Sequence, residues 1–215
     1  MSKLGFEISV SADGYVAGPN QSEEHPLGEG GEELHEWVVK LKAWREMHGR
    51  EGGEVNASSE VIERAMENVG AGIMGRKMFG GGPGPWGEDP WNGWWGDDPP
   101  FQVPVFVLTH HEREPLPMEG GTTFHFVTDG IESALAQARE AAGGQDVKLA
   151  GGAEAAQQYL AAGLVDEMQL NVAPLLLGGG ARLFENVGSD IALVQEQVVH
   201  TPEVTHIRYR VSRPG

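Results

Sequence analysis

The 215-residue chain contains no cysteine. Disulfides, thiol catalysis, iron–sulfur clusters and thiolate zinc sites are therefore excluded, and a reducing compartment fits. Positive charge is also scarce: 15 Lys and Arg face 32 Asp and Glu, for a net charge of −17. Such a surface repels phosphate backbones and anionic lipid, so neither nucleic acid nor membrane is an expected partner. A small anion could bind only where a pocket gathers the few cations. No apolar run reaches the ~20 residues of a membrane span. The opening "MSKLGFEISVSADG" lacks the apolar stretch of a signal peptide, which implies a cytoplasmic protein. No repeat of solenoid or propeller spacing is present.

What the chain does have is turns and alternation. Glycine (32) and proline (13) are plentiful but below the roughly 25–30% of low-complexity chains. "LGFEISVS" (4–11) alternates as a strand and ends at the turn Asp13-Gly14. In "EELHEWVVKLKAWREMHG", Leu34, Trp37, Val38, Leu41 and Trp44 share one helical face, which predicts one helix ending near Gly49. "SSEVIERAMENV" predicts a second, capped by Ser58 or Ser59. Strands follow at 71–75, 103–109, 122–127, 147–150 and 165–177, with helices over "GIESALAQAREAAGG" and "AEAAQQYLAAG". The tail reads as two strands joined around Thr201-Pro202. Strands alternating with helices and closed by a hairpin imply an α/β fold, a single domain over 1–215 with a largely parallel sheet and an antiparallel edge.

Two strand ends share one chemistry. "VKLA" runs into Gly151-Gly152 and opens a helix at Ala153-Glu154; "AGIM" runs into Gly75-Arg76-Lys77. Glycines allow close backbone approach, and free N–H groups with the helix dipole attract an anion. Ligands in open α/β sheets bind beyond such strand ends. Two anion sites match a dinucleotide's pyrophosphate and 2′-phosphate. The GxGxxG fingerprint is absent after the first strand, which disfavours an ordinary Rossmann fold.

With "SADGYVAG", "GIMGRKMFG", "VKLAGGAEAAQQYL" and "VDEMQLNVAPLLLGGGARLF" in order, the chain resembles the dihydrofolate reductase-like superfamily. Within it the chain is most similar to the RibD C-terminal reductase domain of riboflavin biosynthesis. The resemblance implies a central mixed, mostly parallel sheet of about eight strands with flanking helices, and NADPH as cofactor. It implies that Gly75, Arg76 and Lys77 contact phosphates on the adenosine side and that Thr109 binds the 2′-phosphate. It further implies that Gly151, Gly152, Ala153 and Glu154 cradle the pyrophosphate while Val16 and Ala17 flank the nicotinamide. Relatives of this type are often homodimers. Met78 stands where the family's M-G-R-x-T has Thr, and the L-P-W…D segment that holds folate is not evident. A zinc deaminase motif cannot exist without cysteine.

Hydride transfer asks the protein for position, a dry site and a proton donor. Asp13, beside the presumed nicotinamide site, is either that acid or simply a turn residue; Glu33 and Glu36 are fallbacks on the first helix. His110 and His111 point to opposite faces of an extended strand and would not share a metal; no metal site is expected. The loop 80–102 holds four of the six tryptophans. Trp86, Trp94 and Trp95 either wall a flat heterocyclic substrate or pack as a satellite cluster. The expected function is an NADPH-dependent reductase of a small heterocycle, with the riboflavin-pathway 5-amino-6-(5-phosphoribosylamino)uracil step as the named case. The rivals are a nucleotide-binding regulatory module without turnover and a true dihydrofolate reductase.

Overall fold

In the computed structural model, which describes residues 2–212, β1 (Leu4–Ser11) buries Leu4, Phe6 and Val10 on one side. The chain then forms β2 (Tyr15–Ala17), a 3-10 turn over Gly31–His35, and α1 (Glu36–Val39), α2 (Lys42–Met47) and α3 (Ala57–Met66). It continues through β3 (Val69–Gly75), α4 (Arg76–Phe79), β4 (Pro104–Leu108), β5 (Leu116–Pro117), a 3-10 turn over Glu119–Gly121, and β6 (Thr123–Val127). The order closes with α5 (Ile131–Ala141), β7 (Asp146–Gly151), α6 (Ala153–Ala161), β8 (Glu167–Ala173), β9 (Ala181–Arg182), β10 (Ala192–Thr201) and β11 (Val204–Ser212).

One nine-stranded sheet runs β10-β11-β8-β1-β7-β3-β4-β6-β5; β2 and β9 make a separate small ribbon. β8, β1, β7, β3, β4 and β6 are mutually parallel, and the β10–β11 hairpin adds antiparallel to β8. The expected mixed, mostly parallel sheet with a closing hairpin is the one observed. One face is covered by α5 and α6, which bury Ala134, Leu135, Ala156, Tyr159 and Leu160 against Ile73, Phe106, Val147 and Leu149.

The opposite face is covered piecewise. Near β1 and β11 a small core joins Trp37, Val38, Leu41, Ile62 and Val204. Here the single expected helix proves to be broken. Leu41 is extended (φ −70°, ψ 140°) and bridges to Glu54, whose carbonyl accepts from Lys42 N–H and whose N–H donates to Lys40. The apolar face was legible, with Leu34, Trp37, Val38 and Leu41 all buried, but pairing with the 50–54 segment outcompeted helix continuity. The α3 cap also differs. Asn56, not Ser58 or Ser59, is the N-cap: its side chain accepts from Ser58 N–H, while Ser59 Oγ accepts from Asn56 N–H. That reciprocal pair satisfies two otherwise orphaned donors.

Over β3, β4 and β6 this second face is covered by Phe79 of the short α4 and by the tryptophan-rich segment. Trp86, Trp95 and Phe101 pack with Phe79 on Met74, Val105, Val107 and Phe124.

Candidate functional site

The strand-end geometry comes first. β3 and β7 are parallel neighbours with Met74 level with Gly151, so the two glycine junctions adjoin. A Cβ on Gly75 would lie 3.6 Å from Ala155 Cβ and 3.8 Å from Gly152 N, whereas one on Gly152 would meet nothing within 4 Å. Gly152 therefore borders open space at the start of α6, and the Gly151–Gly152 peptide is cis. A cleft of 430 Å³ opens there. Lys77, Ala153, Glu154 and Gln157 line one wall; Gly18–Gln21, Ala181 and Arg182 line the other. Lys77 Nζ and Glu154 Oε1 form an exposed ion pair joining the two junctions. Gln157 Nε2 donates to the Arg182 carbonyl at 2.8 Å, tying α6 to β9.

Arg76 leaves this cleft. Its Nε and Nη2 donate to the Gly82 and Gly81 carbonyls at 2.8 and 2.9 Å, and its guanidinium lies 3.0 Å from the Trp86 ring centroid. Arg113 approaches the same indole at 4.7 Å and the Phe126 ring at 4.8 Å. Burial, aided by the nearby Arg113 charge, pushes Arg76 down to about 10. Among the described residues neither guanidinium has a carboxylate at ion-pair distance, and Arg76 Nη1 is buried without a hydrogen-bond partner. Arg113 Nη1 and Nη2 donate to the Trp91 carbonyl and Asn92 Oδ1 at 2.5 and 2.6 Å, so the two cations converge on one indole with neutral partners only. Thr109, at the end of β4, is buried; its Oγ1 accepts from His111 N–H at 3.2 Å, and the His111 carbonyl in turn receives Trp86 Nε1–H at 3.1 Å. Arg113 was missed from sequence, where an arginine in a loop carries no signal.

Asp13 lies in the turn between β1 and β2. Its carboxylate accepts from Ser11 Oγ at 2.6 Å and from the backbone N–H groups of Leu177 and Gly178 at 3.1 and 2.8 Å. The Ser11 hydroxyl and these amides hold it down at about 2. These bonds make Asp13 an anchor for the 175–178 loop. Val16 and Ala17 are buried in β2, directly against β9: a Cβ on Gly180 would lie 2.1 Å from the Ala17 carbonyl oxygen. That contact accounts for Gly180 in "LGGGARLF". Glu33 and Glu36 are exposed. His35, which sequence reasoning passed over, closes the 3-10 turn that packs on β1 and β2. Burial lowers its imidazole, opposed by the Gly31 carbonyl, and its Nδ1 is buried without a hydrogen-bond partner.

The loop tryptophans, half-buried except for the exposed Trp91, pack on one another and on neighbouring rings. Trp86 meets Phe79 and Phe126 edge-on at 5.8 and 5.0 Å, and Trp95 meets Phe101 edge-on at 4.9 Å. Trp91 Nε1 donates to the Phe79 carbonyl at 2.9 Å, and Trp94 leans on Trp91. Among the described residues no group of three His, Asp or Glu could hold a metal, and no helix is long and apolar enough to cross a membrane.

Comparison with known proteins bears on the fold and the family. Among solved structures, a Shewanella sp. PV-4 protein assigned to riboflavin biosynthesis superposes with TM-score 0.63 at 22% identity, covering 99% of this chain and 100% of that one. Acinetobacter baumannii RibD gives TM-score 0.58 at 16% identity, the chain covering 59% of its length. Dihydrofolate reductase from Enterococcus faecalis, in complex with NADP(H), gives 0.52 at 14% identity, with 99% and 97% covered. No curated protein sequence matches. These likenesses establish a dihydrofolate reductase-like fold. The sequence profile of the RibD C-terminal domain matches residues 2–207, and the chain belongs to that family.

Proposed function

We propose that the chain is an NADPH-dependent reductase of a small heterocyclic substrate, the 5-amino-6-(5-phosphoribosylamino)uracil reductase step of riboflavin synthesis being the specific expectation. The observation that carries this reading is the open space in front of Gly152 at the head of α6, with Arg76 and Arg113 converging nearby without a carboxylate at ion-pair distance and Arg76 Nη1 left without an acceptor. One anion is accommodated by backbone N–H groups and another by two guanidiniums, and a dinucleotide with a 2′-phosphate supplies both. The residues present fit the cofactor. Gly151, Gly152, Ala153 and Glu154 would hold the pyrophosphate, with Gly75 and Lys77 alongside; Arg76, Arg113 and Thr109 would hold the 2′-phosphate; Val16 and Ala17 would border the nicotinamide. When bound, NADPH supplies the hydride.

The chain's own residues orient and dehydrate the site. Asp13 pins the Leu177–Gly178 backbone beyond the end of β1. Trp86 positions both arginines. β10 is the sheet's outer strand and exposes Leu193, Val194 and Val198; an unprotected apolar edge favours pairing with a second copy, which sedimentation would show as a dimer.

The test follows NADPH absorbance at 340 nm (a property of the cofactor) across a substrate panel that includes the aminouracil and dihydrofolate. Turnover with the aminouracil supports the reading. Tight NADPH binding without turnover on any substrate would favour a nucleotide-binding regulatory module. Dihydrofolate turnover would make it a true dihydrofolate reductase.

A further inference from the structure

We infer that a second, separate ligand site lies at the opposite end of the sheet and takes a small organic carboxylate with a short apolar tail. A cavity of 150 Å³ opens between α3 and the starts of β1, β7 and β8, where Lys3, Gly5, Asp146 and Glu167 lie. The cofactor cleft lies at the other ends of these strands, beyond Gly151. The volume has room for about six to eight non-hydrogen atoms.

The strand registers explain why the cavity is polar. Glu7 pairs with Gln169 and Gln169 with Arg208, which puts the three in one row across β1, β8 and β11. Gly5 pairs with Lys148 and Glu167, and its missing side chain leaves the floor of the cavity open. The apolar wall comes from α3 and neighbouring strands: Val61, Ala65, Val69 and Val199.

Four carboxylates (Glu7, Glu67, Asp146 and Glu167) and four cations (Lys3, Arg64, Lys148 and Arg208) line this cavity, and they are not evenly satisfied. Glu7 accepts from Asn171 Nδ2 at 2.9 Å and pairs with Lys148 at 3.5 Å; Glu167 pairs with Lys3; Asp146 accepts from Lys3 N–H at 2.8 Å and Asn68 Nδ2 at 3.0 Å. The two arginines fare worse. Arg64 donates to Gln197 Oε1, a neutral acceptor. Arg208 Nε is buried with no hydrogen bond; its ion-pair partner Glu196 stands 3.7 Å away and is shared with Arg210 at 3.2 Å. A buried guanidinium nitrogen without an acceptor is costly, and a carboxylate matches its planar donor fork. The chain's net charge of −17 repels anions at long range, so local contacts must provide the affinity and selectivity.

The test titrates butyrate, with butylamine as the cationic control of equal length, against the whole chain and reads backbone amide shifts by NMR. The inference expects saturable millimolar butyrate binding with shifts centred on β1, β8 and α3, and none with butylamine. Arg208→Gln should weaken butyrate at least tenfold. Arg64→Gln, on the exposed side of α3, should do the same and guards against a folding defect in the first variant. NADPH affinity should be unchanged in both. Failure of butyrate to bind, equal binding of butylamine, or full affinity retained in both arginine variants would overturn the inference. Because butyrate is measured without NADPH, its result stands whatever becomes of the reductase assignment.

Discussion

Gly152 carries the most local test of the cofactor site. Its φ and ψ of −82° and −160° are open to any residue, and its Cβ direction is empty. Gly152→Val should therefore fold with an unchanged melting temperature while a branched side chain fills the space the pyrophosphate needs. NADPH affinity should fall at least tenfold, about 1.4 kcal/mol, by calorimetry; an unchanged Kd would move the pyrophosphate elsewhere. His206 governs a different property. It is 1% exposed, its Nδ1 lies 2.7 Å from Asn171 Oδ1 and its Nε2 2.8 Å from Ser58 Oγ. Since Asn171 Nδ2 donates to Glu7, Oδ1 is the acceptor for His206 Nδ1–H, and Nε2 receives the Ser58 hydroxyl. Burial pushes this imidazole down to about 4 from 6.5. The folded state resists a proton that the unfolded chain accepts, so the contribution is whole above pH 6.5 and is lost as pH falls towards 4. Thermal unfolding across that window should show a loss of up to about 3 kcal/mol. His206→Gln should be less stable at pH 7 and lack that part of the slope; a variant with the wild-type slope would assign the pH dependence to other groups.

At the scale of elements, the 80–102 segment substitutes for a helix. An irregular loop can cover an apolar sheet face if its side chains are large and its N–H groups find partners, as Trp86 Nε1 and Trp91 Nε1 do here. The four indoles then serve two ends of one device. Trp95 packs on Phe101 and Phe124, while Trp86 holds Arg76 and Arg113. Trp95→Ala should cost about 2–4 kcal/mol of stability with NADPH affinity retained in the folded fraction. Trp86→Ala should weaken NADPH as well, because it releases both guanidiniums. Equal effects of the two variants on affinity would refute this division. Sequence periodicity could not reveal any of it, since the loop has no period. The same blindness explains the broken helix at Leu41: the apolar spacing is helical, but the competing bridge to Glu54 comes from a non-local pairing.

Across the whole molecule, the strand order and the two glycine junctions were legible, because alternation, helix-length spacing and strand-end glycines are local signals. The pairing of Met74 with Gly151, which sets those junctions side by side, follows from sheet order, and sheet order is global. So is the convergence of Arg113 on Arg76 across some forty residues of chain. Asp13 shows the limit most clearly. Its place at a strand tip suggested an acid, but its protonation is set by Ser11 and by amides 164 and 165 positions away. Whether this fold presents a site for a 2′-phosphorylated dinucleotide is read from the dissociation constants of NADPH and NADH. NADPH should bind tighter by tenfold or more, with most of that preference lost in Arg76→Gln and Arg113→Gln, since a charge-assisted hydrogen bond is worth about 1.5–3 kcal/mol. Equal affinities for the two cofactors in the unmodified protein would rule the site out.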